Sequence, residues 1–199
     1  MVYKMNILLF GDSICQNYAQ YVSKQMKSEA NVFYVRDNAR YTTFALRYLH
    51  EWFTAIGTKN DIDFDIIHFN CGLWDVLRLS NENRTFSSPQ EYEMGLIRII
   101  ERIRWFYPSA KLIFALTTKV IEPGFEPGIV MGERRNSDIQ KFNEIAQNVC
   151  KKYNVDIDDL WVVSEKIPLE GRSDEVHFET EIGMKLLGEQ VIQCLKEHI

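Results

Sequence analysis

The chain has 199 residues, of which 46% are hydrophobic and 26% charged, the composition of a soluble globular protein of about one domain. Its formal net charge of −5 and its scattered basic residues, grouped only at Arg134-Arg135 and Lys151-Lys152, argue against nucleic acid as the main partner, because phosphate neutralisation needs clustered Lys and Arg. No segment approaches the ~20 apolar residues that span a bilayer, so no membrane partner is expected, and a chain of this size buries roughly 70% of its unfolded surface in one core.

The first residues, Met1 to Asn6, lead into a short apolar run that ends at Gly11, too brief for a signal-peptide core and without a small-residue cleavage site. Cys15, Cys71, Cys150 and Cys194 show neither CxxC spacing nor a paired His cluster, so no structural zinc and no redox dithiol is signalled. Free thiols in a cytoplasmic setting are the expectation.

Strand-like and helix-like segments then alternate. Asn6 to Phe10, Asn31 to Val35, Asp65 to Asn70 and Lys111 to Leu116 are short apolar runs suited to buried strands, with Val155 to Ile157 as a short fifth. Helical periodicity covers Ile14 to Met26, Thr43 to Thr54, Pro89 to Phe106, Ser137 to Tyr153 and Thr180 to Lys196. Pro89 fits the first turn of its helix after the candidate caps Ser87 and Ser88, and Pro108 follows its end. This alternation predicts an α/β fold, a three-layer α/β/α sandwich around a parallel sheet of about five strands, as a single domain over residues 1–199. Ligands of such sheets bind beyond the carboxyl ends of the strands, where Ser13, Gly72 and Thr117 fall. The longest irregular stretches, Asp75 to Ser88 and Thr117 to Asn136, are the candidates for shaping a pocket there.

Two short segments carry the chemistry. Gly11-Asp12-Ser13 closes the first strand and offers a hydroxyl at a strand-to-helix turn, while Asp174-Glu175-Val176-His177 offers an imidazole with a carboxylate three residues upstream. Serine, histidine and aspartate are the side chains of nucleophilic acyl transfer. Each has a plainer reading: Asp-Ser is an ordinary helix N-cap, and Asp174 can cap a turn while His177 packs on the last helix. The i, i+3 spacing puts Asp174 and His177 on one face of a turn, which suits a carboxylate holding the imidazole tautomer. His50, His68 and His198 sit on a helix, in a strand and at the terminus, and read as structural.

These ordered blocks resemble the SGNH or GDSL-type serine hydrolases. Gly11-Asp12-Ser13 matches that family's first block, Asp37-Asn38-Ala39-Arg40-Tyr41-Thr42 its second, Gly72-Leu73-Trp74-Asp75 its third incompletely, and Asp174 to His177 its last. The resemblance implies a flavodoxin-like fold with Ser13 as nucleophile, His177 as general base and Asp174 as its orienting carboxylate, with no metal or organic cofactor. It implies an oxyanion hole built from the backbone amides of Ser13 and a second-block glycine and from a third-block asparagine side chain. Here Arg40 or Ala39 stands at the glycine, and Trp74 at the asparagine. Either the indole N–H of Trp74 donates, or Asn38 or Asn70 substitutes for the missing donor, or the activity is weak; Trp74 equally suits an aromatic wall for a sugar ring or simple packing beneath the Asp75 loop. Asp12 is expected to fix the nucleophile turn, Asp75 to be structural, and Cys71 to be a buried thiol. Arg134, Arg135 and Arg172 are either pocket-mouth cations or solvated loop charges.

The function expected is an ester hydrolase for short acyl esters, O-acetyl groups of carbohydrates being the candidate substrate drawn from the resemblance. The partners are then small-molecule esters or acylated carbohydrates. A non-catalytic carbohydrate-binding module on the same scaffold is the alternative. A phosphate binder using Ser13 and the first helix's N-terminus leaves Asp174 and His177 unexplained.

Overall fold

The computed structural model describes residues 4–125 and 132–199. Five strands form one parallel sheet: β1 (Asn6–Phe10), β2 (Asn31–Tyr34), β3 (Ile66–Phe69), and two further strands introduced below. β1 and β3 are apolar along almost their whole length and are covered on both faces, as the uninterrupted runs require. Between the other elements lie two-residue strands, β4 (Arg78–Leu79) and β6 (Gly132–Glu133), while β5 (Lys111–Ala115) and β7 (Asp156–Asp158) complete the main sheet in the order β2-β1-β3-β5-β7. In register Ile7 faces Val32 and Ile66, and Phe10 faces Phe69.

The helices are α1 (Ser13–Gln25), α2 (Thr42–Ile56), α3 (Pro89–Phe106), α4 (Asn136–Lys152), α5 (Leu160–Lys166) and α6 (Glu181–Lys196). α3 packs between α2 and α4, and α6 between α1 and α5, so the sheet lies between two helical layers. The Phe10 ring, stacked on Phe69 and edge-on to Phe53, and the Phe69–Phe114 pair bind strands to the α2 side of the core. Ser88 and Glu91 close a capping box on α3, with Pro89 in its first turn, which explains why that helix was readable from its residues.

Because β1 has β2 on one side and β3 on the other, successive crossovers leave β1 in opposite directions. The crevice this opens lies beyond the carboxyl ends of β1 and β3, where Ser13 and Gly72 stand. The two long loops meet rather than hang free. β4 pairs antiparallel with β6, Gly124 bridges to Arg134, and Arg78 grips Asp138 with two bonds of 2.6 and 3.0 Å. Pro127 and Gly128 of the second loop lie outside the described residues.

Candidate active site

The nucleophile turn is assembled from beneath. Asp12, not Ser13, caps α1: its Oδ1 accepts the Ile14 N–H at 3.0 Å and the Asn70 Nδ2–H at 2.7 Å. Gly11 is required by this brace, since a Cβ there would sit 1.8 Å from Asn70 Oδ1. Burial pushes the Asp12 carboxyl above its usual range, against the lowering influence of Asn70, Ile14, Arg134 and His177. Ser13 thus opens α1 with its side chain half-buried, and its backbone N–H points out of the helix start with no partner among the described residues.

Ser13 Oγ lies 2.9 Å from His177 Nε2, across 164 residues of sequence. On the far side of the ring, His177 Nδ1 is 2.9 Å from Asp174 Oδ2. Asp174 also holds the turn itself, because its Oδ1 accepts the backbone N–H of Val176 and of His177, each at 2.7 Å. Burial raises the cost of its charge, yet the bonds from His177 and Val176 outweigh that and hold the carboxyl below its ordinary range. The capping role and the orienting role are therefore the same carboxylate. Asn17, one helical turn beyond Ser13, accepts the Phe178 N–H at 3.1 Å and so ties α1 to the histidine loop. Its i+4 spacing from Ser13 is the one trace of this tie in the sequence.

The opposite side of the turn is built from the second and third blocks. Arg40 has φ +50°, the left-handed conformation that a glycine takes at little cost and any other residue at about 1–2 kcal/mol. Two contacts offset this: its N–H donates to Asn38 Oδ1 at 2.8 Å, and its guanidinium lies 4.7 Å over the Phe44 ring. These are worth about 1 and about 0.5–1 kcal/mol, close to the strain. The Ala39 N–H is taken by Gly11 O at 2.8 Å, so neither candidate amide of this block is open in this conformation.

Gly72, at φ +139°, passes so near Thr117 that a Cβ would lie 2.8 Å from its Oγ1. Trp74 is half-buried, its ring 5.8 Å from the Arg134 guanidinium, and its indole N–H has no partner among the described residues. Asn70 is buried with its amide nitrogen given to Asp12, which makes it a brace under the turn. Asp75 is structural in the fullest sense. It accepts the Thr42 N–H and Oγ1–H and the Ser87 Oγ–H, tying both flanking loops together, while burial lifts its carboxyl to about 6 against those bonds.

The arginines divide three ways. Arg134 is fully buried, its Nε–H on Leu73 O at 2.5 Å, so the reading as a solvated or mouth charge is corrected: the antiparallel pairing of the two long loops carries it inside. Arg135 is exposed and paired with Glu133. Arg172 is half-buried over Phe178 and donates to Lys119 O and Ser164 O, bracing the histidine loop. Cys71 is buried, and burial holds its thiol well above the ordinary range, as an inert thiol requires. His68 is a core residue, its Nε2 2.9 Å from buried Asp158. A groove of about 700 Å³ between α2 and α3, lined by Arg47, His50, Arg98 and Trp105, contains none of the blocks.

A family model described as the GDSL-like lipase/acylhydrolase family matches residues 9–182. The chain belongs to this family. Membership makes it an ester hydrolase. Among solved structures, the lipase/acylhydrolase from Enterococcus faecalis superposes with a TM-score of 0.73 at 21% identity, covering 98% of this chain and 96% of that one. An acetyl xylan esterase gives a TM-score of 0.73 at 15% identity, over 96% and 100% of the two chains. A G-D-S-L lipolytic protein from Veillonella parvula gives 0.68 at 18% identity, over 96% and 98%. At these identities the likeness concerns the fold. No curated protein matches the sequence. Among the described residues no helix is long and apolar enough to cross a membrane, and no group of three metal-ligating side chains converges.

Proposed function

We propose that this GDSL-family hydrolase cleaves short acyl esters, with O-acetyl groups of carbohydrates as the substrate class, through an acyl-Ser13 intermediate. The observation that carries the reading is the 2.9 Å contact from Ser13 Oγ to His177 Nε2 with Asp174 on the opposite ring nitrogen. His177 takes the Ser13 proton as Oγ bonds to the ester carbonyl carbon, whose π electrons move to its oxygen. As that oxyanion collapses, the bond to the alcohol breaks and His177 returns the proton to the leaving oxygen. Water then attacks the acyl-serine by the same route and releases the carboxylic acid. Asp174 keeps the proton on Nδ1, so that Nε2 is the base, and stabilises the imidazolium.

The developing oxyanion is met by the Ser13 N–H and the Trp74 indole N–H, both without internal partners among the described residues. The Arg40 N–H joins them only when Asn38 releases it. Each such donor is worth about 2.7–4 kcal/mol, or ~10²–10³ in rate. The acetyl xylan esterase among the structural neighbours supports the substrate class. The test is hydrolysis of p-nitrophenyl acetate and butyrate by wild type and Ser13→Ala: turnover that favours acetate and vanishes in the variant supports the reading, and equal rates in both proteins overturn it.

The occupied Arg40 N–H and the tryptophan in place of asparagine favour a second reading, a binding module on the same scaffold. It predicts saturable carbohydrate binding by folded protein that turns over no ester.

A further inference from the structure

Trp74, Tyr41 and Phe86 come from separate stretches of sequence, yet each stands one residue away from a single buried clamp. Asp75, which follows Trp74, accepts from Thr42, which follows Tyr41, and from Ser87, which follows Phe86. The Ser87 N–H returns to Asp75 O at 3.0 Å. Tyr41 and Phe86 meet with ring centroids 4.9 Å apart and planes tilted by 46°, and Phe86 is left 47% exposed. Phe86 is thus exposed yet held, its loop fixed at the neighbouring residue and its ring against a fixed partner.

The pair is braced from behind. Tyr41 packs at 5.9 Å on Phe44, which stacks on Tyr48 at 4.4 Å, which stacks on Trp52 at 6.1 Å, a column descending α2 at helical spacing. Trp52 is anchored by its indole N–H on Asp37 Oδ2. Tyr48 is itself 37% exposed, and the wedge of Tyr41 and Phe86, with Phe86 the more exposed at 47%, forms the end of the column next to Arg40. Beside it lie the Arg40 guanidinium, which has no carboxylate partner among the described residues, and the Tyr41 hydroxyl, which donates to no described residue. Apolar ring faces edged by fixed donors suit a flat, polyhydroxylated ring. A fatty chain needs an enclosed apolar channel, which an open wedge with a guanidinium rim does not offer.

We propose that Tyr41 and Phe86, locked by Asp75 and rimmed by Arg40, form the platform for the sugar ring on the alcohol side of the scissile ester. This rests on the ester-hydrolase reading and names the residues that would give it sugar selectivity. The wedge adjoins Arg40, which stands at the family's glycine, so the residue that alters the oxyanion side also shapes the alcohol side.

The test compares two acetates of different alcohols, partially acetylated xylo-oligosaccharides and ethyl acetate, whose alcohol has no ring to stack. In Phe86→Ala the ratio of kcat/KM for the oligosaccharide to that for ethyl acetate falls about tenfold, the loss lying in KM, as expected for a ring contact worth up to ~1.5 kcal/mol. Phe86→Tyr restores the ratio, and Tyr41→Ala lowers it similarly. An unchanged ratio, or an equal fall on both esters, overturns the platform. Should wild type hydrolyse neither ester, the hydrolase reading fails separately, and the platform is read by calorimetric titration with deacetylated xylo-oligosaccharides. Binding that is lost in Phe86→Ala then supports it, and no binding to wild type overturns it.

Discussion

The two sides of the Ser13 turn are held by different means. On one side Ser13, His177 and Asp174 are joined by hydrogen bonds from α1 to the loop before α6, while Asp12 caps the turn and Asn17 holds the Phe178 N–H, with distances of 2.7–3.1 Å. On the other side Arg40 occupies a left-handed position supported by Asn38 and Phe44, and Trp74 replaces an amide with an indole beside buried Arg134. The proton-transfer side tolerates little change because each group positions the next. The other side takes its backbone course from Asp75, which bonds Thr42 and Ser87.

Substitutions on the two sides should therefore differ in size and kind. Ser13→Ala removes the nucleophile, and ester turnover is expected to fall to background, a loss on the order of 10⁶ by analogy with serine proteases, with the thermal midpoint little changed. Asp174→Asn is next, on the order of 10⁴ in kcat, because the wrong ring nitrogen then carries the proton; steady-state kinetics on p-nitrophenyl acetate checks both. Trp74→Phe, which keeps the ring and deletes the N–H, should cost ~10²–10³ in kcat with KM nearly constant, and a loss confined to KM would reassign Trp74 to substrate packing.

The smallest effect concerns the clamp. The folded Asp75 carboxyl holds its proton up to about pH 6, whereas the unfolded chain releases it near 3.8. The folded state binds more protons between those values, so this group's contribution to stability is complete below pH ~4 and is lost as pH rises through about 6. Denaturant midpoints across that window should fall less steeply with pH in Asp75→Asn than in wild type.

Most of the scaffold was legible because its strands are unbroken apolar runs and its helices carry caps, as at Ser88-Pro89. α5 was missed: Leu160–Lys166 is too short for periodicity to register, and its start depends on Asp159 capping Val162. The pairing of β4 with β6 was equally hidden, since two-residue strands leave no pattern. Ser13, His177 and Asp174 were readable as motifs. The burial of Arg134 was not, because it depends on Leu73 O, 61 residues away, and the roles of Thr42 and Ser87 become visible only once Asp75 gathers them. Short-range chemistry leaves a trace in spacing, whereas a contact between distant loops does not.

The most direct test of the central claim is covalent labelling with a fluorophosphonate, the adduct located by peptide mass spectrometry in wild type and in His177→Ala. With His177 Nε2 acting as the proposed base on Oγ, a single adduct on Ser13 is expected in wild type and its loss in the variant. Folded wild-type protein that takes no label, or a Ser13 adduct that forms equally fast without His177, would contradict it.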